Sequence, residues 1–581
     1  MERSERVVAV AAWAWRIAAD FVAPVLLVMW LTRHVGRRLL GSDDLVAAPM
    51  YLTTGDPNGQ AWFYWWLQRA VETGADLENP DVVCAPDGIA LGHNFATRVD
   101  AWLALPFFAE MPFPASFNAA ALAVPACNTA LAWIGLRAAK APAPVALLAA
   151  ALIGFSEYAL FEVGLGHNAN ALVGPAVLLL GAWSAVAEGR WGWAPVAAAA
   201  AAVTLAGYPP YAVVIAPVGA LLLLGELVGG RGRRVRILLS AMVTAAAAGI
   251  AAFAHLRALQ ERGYAETEVG LTAHRLEMLM RDSLPWRWLW ESGTGFNDPH
   301  VWTAPALWLG AALALVGGWR GRAWLAAGVA FWVLALGVVV LDAPAVPTRV
   351  GGKMLGLPLR WLVDVVPPLV NVRPYRFAPL VAAAAALALG AFARWGWEGR
   401  ERSGWPRVVA WAPTLLATAL AAHGLRAALA DHMSMWLQPW RLPPAVQWLA
   451  DTPGDFAIIE LPAGLGHAYG ALQPVHGKRR SEGHHDVSMD ARRRTDAPTD
   501  CYTTALVRGL WSLERGVPYR PTEAELAEAE ADGFRYVVVY GSLYTNEPGA
   551  AGLTRPHPAL REMFGEPVVD EGGVAIYAIR R

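Results

Sequence analysis

Apolar runs of about 20 residues recur along the first three quarters of this chain, and they constrain its fold more than any other feature. At 1.5 Å per residue, a helix of about 20 apolar residues crosses a hydrocarbon layer of roughly 30 Å. Inside such a layer every backbone N–H and C=O needs a partner within the protein, so runs of this length read as helices. Of the 581 residues, 56% are hydrophobic and only 16% are charged. Ordinary soluble domains carry about a quarter charged residues. The reading is a polytopic α-helical membrane protein. Spans are expected at 14–34, 115–136, 143–162, 169–187, 193–207, 210–228, 237–257, 301–319, 323–341, 375–393 and 408–428, about eleven in all. Pro209 and Pro210 break one long apolar stretch, which reads either as two short helices or as one kinked helix.

Short basic loops set the orientation. Arg137 with Lys140, Arg190, Arg231 to Arg236, Arg320 with Arg322, and the stretch from Arg394 to Arg407 all fall on one side, read as the cytoplasm. That parity holds only if Pro209 and Pro210 separate two crossings. Arg33, Arg37 and Arg38 fall on the other side, at the head of a long loop where the rule is weak. The start, Met1-Glu2-Arg3-Ser4-Glu5-Arg6, runs into an apolar span without a small-residue cleavage site, so an uncleaved first helix with a cytoplasmic N-terminus is expected. This places a multi-pass protein in a cell (inner) membrane, with the lipid bilayer as its first partner.

Two parts follow. Residues 1–430 form a transmembrane domain with a large first outer loop at 35–114. Residues 431–581 are richer in charge and turn signals and read as an extracytoplasmic α/β domain. Strands are expected at 456–461, 536–540 and 574–579, and helices at 445–449 and 523–531. A net charge of −1 argues against a nucleic-acid partner. The three cysteines, Cys84, Cys127 and Cys501, form no zinc pattern. Cys84 and Cys501 share the outer side, where a disulfide could form, although nothing in the sequence brings them together.

Chemistry is sought on the outer face. Asp56 stands in Thr54-Gly55-Asp56-Pro57-Asn58-Gly59-Gln60, just before Trp62-Phe63-Tyr64-Trp65-Trp66. Asp-Pro is a helix start, so Asp56 reads as an N-cap, as a general base at the membrane surface, or as both. His93 and His167 lie in a repeated triplet, Gly92-His93-Asn94 and Gly166-His167-Asn168. Histidine there can bind phosphate, move protons or simply bond backbone. Glu162 ends its span as a surface carboxylate. Arg373 and Arg376, in Val372-Arg373-Pro374-Tyr375-Arg376-Phe377, can fork onto phosphate or snorkel. Asp81, Asp87, Asp100, Asp282 and Asp298 have no spacing that distinguishes them. The segment His476 to Asp486, with His484 and His485, reads as a solvated loop in preference to a metal cluster. Signatures of nucleotide-driven transport, zinc proteolysis, serine esterases and Rossmann dinucleotide binding are missing from the sequence.

Taken in order, these motifs resemble the GT-C superfamily of integral-membrane glycosyltransferases, especially its polyprenyl-phosphate-mannose-dependent members. The resemblance rests on Gly55-Asp56-Pro57 with the aromatic helix, the Pro86-Asp87-Gly88 turn, Gly166-His167-Asn168, Val372 to Phe377 and an outer α/β domain. It covers most of the chain in layout and few residues in identity. It implies a polyprenyl-phosphate sugar as donor substrate, an extracytoplasmic acceptor (glycan, lipid or protein) and inversion at the anomeric carbon. Asp56 matches the position of the catalytic base. Arg373, Arg376 and His167 are expected on the donor phosphate, and His93, Glu162 and Asp87 on the substrate. The resemblance assigns no metal ligand and leaves a divalent metal open. Many members pair the first-loop acid with a second acid, and that partner is not evident here. The competing readings are a transporter or flippase of lipid-linked sugars and a non-catalytic envelope glycan assembly protein. The first would line a midplane path with ionisable residues, and the expected spans hold few: Arg16, Asp20 and His423.

Overall fold

A computed structural model describes residues 22, 24–48, 50, 56–89, 91, 98–229, 234–261, 279–280, 283, 315, 318–343, 346–350, 353–365, 372–403, 436–462, 466–482, 504–514, 516–541, 543 and 559–580. After a short strand β1 (Leu45–Val46), the first outer loop supplies α1 (Asp56–Thr73) and α2 (Val99–Glu110). The bundle then runs through α3 (Ala115–Ala138), α4 (Ala143–Gly154), α5 (Glu157–Gly164), α6 (Asn168–Ala171), α7 (Gly174–Ala187), α8 (Ala194–Gly207), α9 (Pro209–Gly229), α10 (Arg234–Glu261) and α11 (Gly318–Ala335). Strands β2 (Leu341–Ala343), β3 (Val346–Pro347), β4 (Arg349–Val350) and β5 (Lys353–Met354) form two small hairpins before α12 (Pro358–Val365) and α13 (Ala378–Ser403). Among the described residues five helical segments are long and apolar enough to cross a membrane: Ala115–Ala138, Ala143–Gly164, Asn168–Ala187, Pro210–Val228 and Pro374–Gly396. Trp191–Gly207 is a shorter apolar helix ending just before the Pro209–Pro210 break. A helix also covers the span expected at 237–257, and α11 covers the one expected at 323–341 only as far as Ala335, starting earlier, at Gly318. The expected spans at 301–319 and 408–428 lie almost wholly outside the described residues.

Two of these segments are broken helices. Backbone groups opened inside an apolar layer must be satisfied by neighbours, and here each break has its partner. Between α4 and α5, Ser156 caps the new helix through its hydroxyl, which accepts from the Ala159 amide at 3.3 Å. Between α6 and α7, Asn128 of α3 donates to the Ala171 carbonyl at 2.7 Å and accepts from the Gly174 amide at 2.8 Å. One buried side chain thus closes both ends of the gap. Small residues let the helices approach this closely. At the crossing of α3 and α7, a Cβ on Gly181 would collide with the Gly135 carbonyl, and one on Gly135 would lie 2.7 Å from the Val177 carbonyl oxygen.

The C-terminal part carries strand β6 (Gln438–Pro439), helices α14 (Pro444–Asp451), α15 (Gln473–His476), α16 (Ala505–Glu514), α17 (Glu523–Ala531) and α18 (Ala559–Phe564), and a mixed sheet. The sheet strands are β7 (Ala457–Leu461), β8 (Arg479–Arg480), β9 (Phe534–Tyr540), β10 (Val569–Glu571) and β11 (Val574–Ala578), in the order β10-β11-β9-β7-β8. The three stretches read as strands from the sequence are β7, β9 and β11. Pairing is parallel for β7 with β8 and β9, and antiparallel elsewhere in the sheet.

This sheet is bolted to the first outer loop. The Arg480 amide donates to the Val82 carbonyl at 3.0 Å and the Ala85 amide to the Arg480 carbonyl at 2.8 Å, so residues 82–85 extend the sheet beyond β8. Gln473 accepts from the Trp62 indole and donates to the Val82 carbonyl, both at 2.8 Å. β1 pairs antiparallel with β6, and the Trp436 indole donates to the Leu160 carbonyl at 3.0 Å. Cys84 is disulfide-bonded and Cys127 is free, while Cys501 lies outside the described residues.

Within the sheet's core, the Glu460 carboxylate meets Arg480 Nε at 2.5 Å and Tyr540 hydroxyl at 3.3 Å. Burial pushes the Glu460 carboxyl up in pKa, against the pull of Arg480. Nearby His476 is buried with its Nδ1 accepting from the Lys478 amide and its Nε2 without a partner. Burial, with Arg480 and Lys478 adding like charge, lowers its pKa to about 3. His484, His485 and Asp486 lie outside the described residues.

Two outcomes are expected. Gly181→Leu should cost about 1–3 kcal/mol in overpacking at the α3–α7 crossing, read as a lowered thermal midpoint in detergent; an unchanged midpoint would mean the crossing has slack. His476 binds its proton only in the unfolded chain between about pH 3 and its ordinary value near 6.5. The stability it contributes is therefore complete above about pH 6.5 and declines by up to about 1.4 kcal/mol per pH unit as pH falls. His476→Gln should flatten the unfolding midpoint against pH in that window, and parallel slopes would refute the assignment.

Candidate active site

The broken helices converge on Glu162. Its chain reverses between α5 and α6 through Leu165, Gly166 and His167, where Gly166 adopts φ +75°. A side chain could not follow: a Cβ on Gly166 would sit 2.5 Å from Pro57 Cα. The head of α1 is thus pressed against the Gly166-His167-Asn168 loop. Two motifs about a hundred positions apart become neighbours.

Glu162 is fully buried, and both of its oxygens are engaged. Tyr375 donates to Oε1 at 2.7 Å. His167 Nδ1 meets Oε2 at 2.9 Å, and Asn170 donates to the same oxygen at 3.4 Å. Arg376 Nε lies 4.0 Å from Oε1 and makes no hydrogen bond of its own. Its guanidinium lies over the rings of Tyr208 at 5.7 Å and Tyr375 at 5.8 Å. Tyr211 donates to the Arg376 carbonyl at 2.8 Å, which pins the start of α9 to the turn Pro374–Phe377. A carboxylate so surrounded by donors is an anchor. Its chemistry is to hold His167 and Arg376 in place while leaving part of the guanidinium unused.

A second buried acid stands at the start of α2. Arg98 forks onto Asp100, with Nε to Oδ1 and Nη2 to Oδ2 both at 3.1 Å. Tyr64 donates to Asp100 at 2.9 Å, and Gln60 donates to the same oxygen. Burial first, then the charge of Asp100, holds the Tyr64 hydroxyl well above its ordinary pKa, so it keeps its proton for that bond. The Tyr64 oxygen is left to accept, and it takes the Asn168 amide at 3.0 Å. Direction therefore runs Asn168 to Tyr64 to Asp100, and Asn168 Oδ1 is left buried without a partner.

The sequence-expected residues divide as follows. Glu162, His167 and Arg376 meet directly, and Arg373 caps the turn that carries Arg376. Asp56 is the first residue of α1, next to Pro57; its side chain lies outside the described residues, as does all of His93. Asp87 is exposed in the turn after the segment that extends the sheet at β8. Among the described residues no three His, Cys, Asp or Glu side chains stand close enough to hold a metal ion. Sequence reasoning passed over Gln60, Tyr64 and Asn170 as site residues, and named Asp100 without a spacing to distinguish it. One signal was present: positions 56, 60 and 64 recur every fourth residue and share a helix face.

No protein-family model and no curated protein matches this chain. Solved structures similar to it include the archaeal oligosaccharyltransferase AglB from Archaeoglobus fulgidus, in complex with an inhibitory peptide and a dolichol-phosphate, at 14% identity and a TM-score of 0.46, over 93% of this chain and 72% of that one. ArnT from Cupriavidus metallidurans, in its apo state, is similar at 12% identity and a TM-score of 0.42, over 98% of both chains. The arabinofuranosyltransferase AftD from Mycobacteria is similar at 14% identity and a TM-score of 0.45, over 97% of this chain and 41% of that one.

Glu162→Gln should lower stability by about 3 kcal/mol, because His167, Tyr375 and Arg376 lose a buried anion. Asp87→Asn, at an exposed turn, should stay within about 0.5 kcal/mol. Thermal unfolding of both variants in one detergent checks the contrast, and equal midpoints would remove Glu162 from its anchoring role.

Proposed function

We propose that this chain is a membrane glycosyltransferase that moves a sugar, of the hexosyl class, from a polyprenyl-phosphate carrier to an extracytoplasmic acceptor with inversion. The observation that carries this reading is the packing of Pro57 against Gly166, which sets the head of α1 against the Gly166-His167-Asn168 loop, whose His167 shares Glu162 with Arg376. Helical spacing puts position 56 on the face that carries Gln60 and Tyr64, the face turned toward Asp100 and Asn168.

In this reading Asp56 takes the proton from an acceptor hydroxyl. The acceptor oxygen forms its bond to the anomeric carbon as the bond from that carbon to the phosphate oxygen breaks on the opposite face. The electron pair leaves with the polyprenyl phosphate, and Arg376, Arg373 and His167 stabilise the charge that develops there. Glu162 keeps His167 and Arg376 oriented, and the tyrosines wall the site. The C-terminal sheet, tied to the first outer loop at 82–85, stands where an acceptor is met.

Two features support placing this site on the oxidising face of a cell inner membrane. Cys84 is disulfide-bonded, and disulfides persist outside the cytoplasm. Lys140, Arg190, Arg320 and Arg394 gather at the far ends of the helices, as cytoplasmic cations do. Arg376 and Arg394 lie on one helical run, about 27 Å apart at 1.5 Å per residue.

Asp56→Asn in proteoliposomes loaded with defined polyprenyl-phosphate sugars should cut transfer by about 10²–10⁴-fold while carrier binding persists. Arg376→Gln should lose carrier binding itself. Normal transfer by Asp56→Asn, or retained anomeric configuration in the product, would overturn the mechanism.

A further inference from the structure

Gln60 and Tyr64 are buried polar side chains of the first outer loop with no part in the transfer steps above. Both donate to Asp100 Oδ2, Tyr64 at 2.9 Å. Arg98 forks onto the same carboxylate through Nε and Nη2, both at 3.1 Å, and its guanidinium lies 4.5 Å from the ring centre of Phe63. The Arg98–Asp100 pair at the head of α2 therefore grips α1 at positions 60, 63 and 64, which are neighbours on one helix face. The opposite face, about 200° round at 3.6 residues per turn, is gripped as well. There Trp62 donates to Gln473 at 2.8 Å and Trp66 to the Leu77 carbonyl at 2.9 Å.

Held from both sides, α1 cannot roll about its axis without breaking buried hydrogen bonds. Its head is fixed separately, where Pro57 lies against Gly166. The two constraints meet, because the Tyr64 hydroxyl accepts from Asn168 in the same loop as Gly166. Position 56, the first of α1, stands one turn before Gln60. It lies about 40° from Gln60 round the axis and about 6 Å along it. A roll of about 20° would carry a group about 5–6 Å from the axis through about 2 Å. A misplacement of about 1 Å at a reacting group can cost about 10²-fold in rate.

We propose that Asp100 is a positioning residue for the transfer reaction. Through Gln60 and Tyr64 it sets the roll of α1, and so the direction from which the residue at position 56 meets the acceptor hydroxyl. The inference rests on the reading of Asp56 as the base. Asp100 acts through the helix and not on the substrate, and Arg98 holds its carboxylate in place. The contribution belongs to the chemical step: a base aimed wrongly slows proton removal and leaves carrier binding, which falls to Arg376, Arg373 and His167, as it was.

Gln60→Leu and Tyr64→Phe test it, since each removes one donor and leaves the Arg98–Asp100 pair intact. The full chain in proteoliposomes is offered radiolabelled polyprenyl-phosphate mannose, glucose and galactose, with a membrane extract as acceptor. The donor that the unaltered chain turns over fastest carries the comparison. Bound polyprenyl phosphate counts the folded molecules in each preparation. Rate per bound carrier should fall about 10- to 100-fold in both variants, with the KM for the donor unchanged. A merely structural defect would lower bound carrier and rate together and leave their ratio alone. In an Asp56→Asn background Gln60→Leu should cost no more than about twofold further, because the carboxylate that it aims is gone. Full rate per bound carrier in Gln60→Leu and Tyr64→Phe, or the same fold loss from Gln60→Leu with and without Asp56, would overturn the proposal. Normal transfer by Asp56→Asn, or no turnover of any donor by the unaltered chain, would instead sink the reading on which it rests, and the proposal with it.

Discussion

A backbone that enters an apolar layer must satisfy every N–H and C=O from within, and the rest of this structure depends on how two interruptions meet that demand. Asn128 spans the gap between α6 and α7, accepting from one side and donating to the other. Ser156 caps the restart after α4. Because these breaks are satisfied, α5 and α6 can be short helices that turn back on one another through Gly166. That turn carries Glu162, His167 and Asn168 into one buried cluster.

Two buried acids then divide the work. Glu162 gathers Tyr375, His167, Asn170 and Arg376 and so links the α5–α6 turn to the start of α13. Asp100 gathers Arg98, Tyr64 and Gln60 and so links α1 to α2. Asn168 joins the two networks through Tyr64. A buried carboxylate is costly unless its partners are complete, and completeness is what makes each of these a rigid support. The sheet of the C-terminal part adds a third support from outside, since residues 82–85 lie along β8 and Gln473 clasps Trp62.

Much of the layout was legible in the sequence. The apolar runs located the helices from α3 to α11 and α13, since helical burial in lipid needs little beyond length and hydropathy. Short runs of β-branched and aromatic residues, in a stretch with turn signals, located β7, β9 and β11. The cations Lys140, Arg190, Arg320 and Arg394 were read as sharing a side, and the structure joins them around Glu188. Glu162, His167 and Arg376 were legible as polar groups where apolar spans end. Asp100 was not, because its significance lies in Arg98, Tyr64 and Gln60 converging on it, and no spacing in the first loop records that. Asn128 was hidden for the same reason. Within an apolar run it looks like an isolated polar residue, and its partners belong to a gap that hydropathy does not reveal.

By itself, then, the sequence determined a helical membrane bundle, its strands, and which polar residues lie at its ends, because these follow from local hydropathy and periodicity. Only the tertiary structure decided that Pro57, at the head of α1, meets the Gly166-His167-Asn168 loop. It also decided that the first outer loop extends the C-terminal sheet, and that one carboxylate at the other end gathers four cations. These are contacts between segments far apart in the chain. They depend on close approach at glycines and on buried hydrogen bonds, neither of which leaves a periodic trace in the residues that make them.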